Sequence, residues 1–265
     1  MAFEEAGALP RPRRLPTGRL AVVAGVVLAA SAAWVAGLEM PALLSLMLQW
    51  LPHLAMGFAL NVAISLGAVG LGTAAGTALA LMELSSWVAL RLPAEGFVTV
   101  FRNAPILVVL FATTYVFPFE ISLGPWHIAF PDWAKAMIGL ALPAASQVAE
   151  LLRGAIQSIP SAQWDAAASL AFTRSQSFRW IILPQCAKRA LPPWMNLYST
   201  IAMATTLASL VGVHDLLEAA TEATTAVQRM DFTVAVYLAV LGWFFVYCYP
   251  IARFVRWLER RLDRR

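Results

Sequence analysis

Few residues in this chain could make or break a covalent bond. The two cysteines, Cys186 and Cys248, are far apart and have no metal-ligand spacing, which reads as two unpaired apolar thiols. His53, His127 and His214 are scattered, no His-Glu-x-x-His occurs, and no Gly is followed by Lys, so the phosphate-binding loop is missing. What remains are polar groups set in apolar surroundings: Asn61, Ser65, Gln147, Glu150, Asn196, Ser199, Thr205 and Thr206. Their chemistry is not that of catalysis; they are candidates to line a cavity. Ser and Thr in membrane helices usually bond to backbone or to a neighbouring helix. A carboxylate there needs a partner, and Arg153 follows Glu150 by three residues on the same helix face. Glu150 is therefore open to two readings, a structural ion pair or a group facing what the cavity binds.

The elements that carry these groups are written in the composition. Of 265 residues, 60% are hydrophobic and 13% charged, with a mean hydropathy of +0.70; a soluble domain would carry about a quarter charged residues. A helix crosses the hydrocarbon layer with about 20 mainly apolar residues. Six stretches meet that requirement: Leu20–Leu38, Met56–Met82, Val98–Pro118, Ala134–Leu152, Leu191–Val213 and Phe232–Val255. The expected fold is thus an all-α integral membrane protein with six transmembrane helices. A cleaved signal peptide is a rival reading of the first stretch, but the run is long for one and ends without a clean cleavage pattern, which favours a retained helix. Gly67, Gly70, Gly72 and Gly76 form a small-residue row suited to close helix packing.

Charge sets the orientation. With the N-terminus in the cytoplasm, every basic residue except Lys135 and Arg229 falls on the inner side. The positive-inside rule therefore puts both termini in the cytoplasm. All three histidines then lie at outer span ends or in outer loops, residues 119–133 and 214–231.

The longest inner excursion, Arg153 to Ala190, differs in character from the spans. Ile159-Pro160-Ser161 interrupts the helix leaving the fourth span. Ser161 is expected to cap a short helix, Ala162 to Leu170, with Asp165 in its first turn. Thr173-Arg174-Ser175-Gln176 has the spacing of a capping box. Phe178, Ile181 and Ile182 follow at helical spacing, and Pro184 is expected to stop the pattern. Two short helices with small side chains outward would make a knob able to enter a groove on a partner, although an amphipathic loop resting on the inner leaflet reads equally well from these residues alone.

The same residues carry a resemblance. Asp165-Ala166-Ala167, three residues, Ala171, nine residues, then Ile181-Ile182-Leu183-Pro184 resembles the coupling motif of binding-protein-dependent ABC importer permeases: Glu-Ala-Ala, three residues, Gly, nine residues, Ile-x-Leu-Pro. The flanks, Ala149 to Pro160 and Arg189 to Asn196, are similar to the polar amino acid branch, and Arg102-Asn103-Ala104-Pro105 occupies the place of its Arg-Gly-Thr-Pro. The resemblance implies the type I importer fold, a five-helix core at residues 53–256 with an added helix at 20–38 and basic tails at 1–19 and 257–265. It implies a permease of the bacterial inner membrane that contacts ATPases through Asp165, Ala166, Ala167, Ala171, Phe172 and Arg174. By the same resemblance two cytoplasmic ATPase subunits bind ATP and Mg, while this chain holds no cofactor or metal and catalyses nothing. An extracytoplasmic binding protein would deliver the solute, a second permease subunit would complete the path, and no nucleic acid is involved. Three positions depart from the motif. Asp165 replaces Glu; Ala171 replaces Gly, which would cost about 1 kcal/mol if the turn is left-handed; and Met203-Ala204 replaces a Lys-Asp pair. Loss of that pair favours a heterodimer whose other subunit holds more of the solute.

Two other classes fit less well. An intramembrane enzyme needs converging catalytic groups that the spans lack. A channel or secondary transporter would be expected to show half-repeats or broken helices around intramembrane charges.

Overall fold

The computed structural model describes residues 40–123 and 126–262. The expected helix at 20–38, the tail at 1–19 and the last three residues lie outside them. Helix α1 spans Met40–Glu83, beginning 16 residues before the expected start at Met56 and carrying Pro52 inside it. His53 accordingly sits within a helix and not at its end. Helices α2 (Val88–Asn103) and α3 (Ile106–Val116) replace the single span expected at Val98–Pro118. They meet at a 112° bend. The cause is local: Pro105 excludes Ala104 from the helical region, and Ala104 is extended at φ −76°, ψ 136°.

Strands β1 (Glu120–Leu123) and β2 (Trp126–Ala129) pair antiparallel, Glu120 opposite Ala129. This small hairpin in the 119–133 connection is added to an otherwise helical fold. Helix α4 (Asp132–Gln157) is central, burying Ala136, Leu140, Ala144 and Val148 against Ile64 and Ala68 of α1, Leu110 of α3 and residues further along. Close approach needs small residues: a Cβ on Gly72 would stand 2.7 Å from the Ala144 Cβ, whereas one on Gly70 would meet nothing within 4 Å. The small-residue row therefore packs on one side only.

Helices α5 (Ser161–Ser169) and α6 (Arg174–Ser177) are followed by a π-helical stretch, Phe178–Ile182, that runs directly into α7 (Leu183–Ala204). Pro184 does not stop the helix; it stands where the π-helical turn, closed by Leu183 N–H donating to Phe178 O, passes into α7, a π-bulge and a proline being two of the recognised irregularities within a continuing helix. A 3₁₀ segment, Thr205–Val211, continues α7 and ends at Gly212, φ +87°. Helix α8 (Leu216–Val227) occupies the connection expected as a loop, and α9 (Met230–Leu262) completes the chain. Among the described residues α1 and α9 are each long and apolar enough to cross a membrane, with up to four crossings if each bent pair counts as one.

Candidate functional site

The segment after α4 forms a compact knob. Ser161 is the first helical residue of α5 and makes no capping bond; Pro160 precedes it in the capping place, so Asp165 falls beyond the first turn. The Thr173 capping box is complete, with the Thr173 Oγ1 accepting from Gln176 N at 3.3 Å and the Gln176 side chain accepting from Thr173 N at 2.8 Å. Between the two helices Ala171 is left-handed at φ +59°. Ala171 N and Phe172 N donate to Ala168 O and Ala167 O at 2.9 and 3.1 Å, the closure that follows a helix end. Asp165, Ala166, Ala171, Phe172 and Arg174 are exposed. Ala167 is buried at 1% exposure, so the small outward surface is Ala166 with Ala168, not Ala167.

Next to the knob's root lies a cavity of about 600 Å³, walled by Arg102, Gln147, Glu150, Arg189, Asn196 and Thr200 among others. Three helices position these groups: α2 supplies Arg102, α4 Gln147 and Glu150, and α7 the rest. Arg153 Nη2 donates to Glu150 Oε1 at 2.6 Å, and Arg102 Nη1 stands 3.3 Å from the same oxygen. The Glu150–Arg153 pair coexists with exposure of Glu150 to the cavity, so the two readings of Glu150 are compatible. Arg189 Nη1 donates to Ser158 O at 2.8 Å, tying α7 to the end of α4. Thus both signs of charge and two side-chain amides face one space.

Other candidates lie elsewhere. Asn61 is a buried hub: its Nδ2 donates to Thr205 Oγ1 and Asp215 Oδ2, both at 3.0 Å, and its Oδ1 accepts from Leu216 N at 2.9 Å. Asp215 in turn caps α8 by accepting from Glu218 N at 2.9 Å. Gly57, one turn before Asn61, lets the Asp215 backbone approach; a Cβ there would lie 2.7 Å from its carbonyl carbon. Ser65 bonds to Val62 O at 2.8 Å and Thr206 to Met203 O at 2.9 Å. Ser199 lines a separate, largely apolar cavity of about 460 Å³ with Met203, Phe244 and Cys248. Sequence reasoning did not place Arg102 or Arg189 on the cavity wall, although both lie in the motifs it singled out. Glu83 carried no local signal beyond its charge.

Residues 72–264 match the family model described as binding-protein-dependent transport system inner membrane component. The chain belongs to this family. The probable amino-acid ABC transporter permease protein YckA of Bacillus subtilis is 35% identical over 173 residues, which cover 65% of this permease and 74% of that protein. The glutamate/aspartate import permease protein GltK of Escherichia coli is 32% identical over 80% of this permease and 94% of the relative. A solved amino acid ABC transporter with histidines contains a chain that superposes with a TM-score of 0.71 at 25% identity, covering 81% of this permease and 96% of that chain. A chain of the MetNI methionine ABC transporter shares the fold at a TM-score of 0.59 and 16% identity. This protein is accordingly an ABC importer permease with the type I fold, a membrane subunit.

Proposed function

We propose that this permease carries polar amino acids or related small zwitterions across the bacterial cytoplasmic membrane, as the pathway subunit of an ATP-driven importer. The observation that carries the reading is the cavity in which Arg102 of α2 and Glu150 present opposite charges beside the amides of Gln147 and Asn196, with α4 and α7 of its wall flanking the knob. A zwitterion's carboxylate and ammonium would each find a partner there. The relatives named for amino acids, glutamate and aspartate among them, support the same solute class.

In this reading the chain hydrolyses nothing. ATP and Mg sit on two cytoplasmic ATPase subunits, which grip the exposed face of α5 and the Ala171 turn. Closure of the ATPases moves the knob and, through α4 and α7, switches access to the cavity from one side of the membrane to the other. Both termini are cytoplasmic, a binding protein delivers the solute from outside, and a second, different permease holds more of the solute contacts. The test is reconstitution in vesicles with the ATPase, partner permease and binding protein. Solute uptake should require ATP and all components, and the purified chain alone should show no ATP turnover. Uptake by this chain without an ATPase would instead establish a channel or secondary transporter, and native mass spectrometry showing two copies of this chain with no second permease would refute the heterodimer.

A further inference from the structure

Behind the Glu150 bridge lies a second polar compartment of about 560 Å³, within the ~300–1,000 Å³ range of small-ligand sites. It is enclosed by the end of α1, by α2 and by the last turns of α4. Three carboxylates, Glu83, Glu95 and Glu150, and three guanidiniums, Arg91, Arg102 and Arg153, line it. Their formal charges cancel, so the walls favour neither a lone cation nor a lone anion. Two of their atoms are orphaned. Glu83 has a side chain only 5% exposed, and its Oε2 has no hydrogen-bond partner; the nearest opposite charge, Arg153 Nε, stands at 3.8 Å. Arg91 Nε is covered and also lacks a hydrogen bond, at 3.5 Å from Glu95 Oε1, although the Arg91 side chain as a whole is 43% exposed. A buried acceptor and a buried donor left open in one cavity call for an explanation.

We infer that this compartment is a binding site for a small zwitterion, whose ammonium donates to Glu83 Oε2 and whose carboxylate accepts from Arg91 Nε–H. Such charge-assisted bonds are the strong kind. The site adjoins the first cavity, with which it shares Arg102 and Glu150, and differs from it in Glu83, Arg91 and Glu95. It rests on the cavity's own chemistry; the importer reading contributes only the choice of probe.

The experiment uses the full-length chain in lipid nanodiscs and radiolabelled L-glutamine, with two analogues as competitors: glutaramate, which lacks the ammonium, and 4-aminobutanamide, which lacks the carboxylate. Both should compete about ten-fold or more worse than glutamine. Glu83→Gln should weaken glutamine binding about ten-fold. Thr99→Trp, which fills the compartment from α2 and leaves every charge in place, should do the same and guards against a folding effect of the first variant. Asn196→Leu, in the first cavity, should leave the Glu83-dependent component intact. The inference is overturned if wild type retains no glutamine, if 4-aminobutanamide competes as well as glutamine, or if both compartment variants, monodisperse on gel filtration, bind like wild type. ATP-driven uptake by the assembled complex, measured alongside, bears on the importer reading alone.

Discussion

Two polar clusters occupy the two ends of one stretch of α1, and they are built in opposite ways. From Asn61 to Glu83 the helix runs 22 residues, about 33 Å at 1.5 Å per residue, close to the ~30 Å of a hydrocarbon layer. At one end Asn61, Thr205 and Asp215 are buried and joined by direct hydrogen bonds at 2.9–3.0 Å. At the other end Arg153, Glu150 and Arg102 are a third to a half exposed, Glu150 is shared by two guanidiniums, and Glu83 and Arg91 keep orphaned atoms. A satisfied buried network fixes one arrangement. Exposed ion pairs exchange partners at little cost. The Asn61 node therefore anchors the helices, while the cluster near the coupling knob sits where an importer must move.

The comparison breaks most readily at the node. Asn61→Leu removes three hydrogen bonds and strands Asp215 Oδ2 and Leu216 N–H in a buried place. Each lost partner costs about 1–3 kcal/mol, and the total expected is about 3–5 kcal/mol, at the high end for a single substitution. Thermal unfolding in detergent checks it. A variant as stable as wild type would mean that the node holds nothing together.

At the knob the expected effect is functional. Ala166→Trp adds bulk to an exposed position of α5, and overpacking a fitted contact costs about 1–3 kcal/mol, or roughly 5- to 150-fold in ATPase docking. Asp165→Lys acts in the same sense by reversing an exposed charge. Both should leave the thermal midpoint unchanged. Pull-down of the ATPase and stimulated ATP turnover measure the loss; full turnover with both variants would remove the knob from the coupling role.

These two regions were unequally legible in the sequence. The Thr173 capping box and the Glu150–Arg153 pair are local, at spacings of three residues, and the structure forms both. The Ala171 turn was legible through the motif, since a Gly position marks a left-handed residue. Contacts such as Asn61 with Asp215, or Glu83 with Arg153, join residues that are remote along the chain and leave no periodic trace. Two misses had signals that were outweighed. The acidic run 215–231 reads as a loop, yet Asp215 is a capping residue and Leu216, Ala219, Ala220 and Ala223 recur at helical spacing on the buried face of α8. Pro184 reads as a stop, yet the π-helical turn before it carries the chain on into α7. The bend at Ala104-Pro105 follows the rule that located the break at Pro160, and the mainly apolar stretches 98–101 and 106–112 around Arg102-Asn103 concealed it.

A smaller effect sharpens the picture of the knob. Ala171 holds φ +59° against the steric preference of an L residue, at about 1–2 kcal/mol. Ala171→Gly relieves the strain but adds freedom to the unfolded chain. The net gain should be up to about 1 kcal/mol, read as a small rise in the unfolding midpoint. A fall would show that the turn is not strained by its Cβ.

The smallest expected change in stability, and the most telling one, comes from Arg153→Gln. The Arg153 side chain is 35% exposed, so its 2.6 Å bond to Glu150 is screened by solvent and contributes at most about 1 kcal/mol. Arg102, already 3.3 Å from the same carboxylate, can take over the pairing. Stability should therefore barely move. Raising the salt concentration should weaken these exposed pairs while leaving the buried Asn61 node intact, so salt and Arg153→Gln should perturb transport coupling together without lowering the unfolding midpoint. If Arg153→Gln destabilises the protein as strongly as Asn61→Leu, the cluster is an anchor too, and the division between a fixed end and a rearranging end fails.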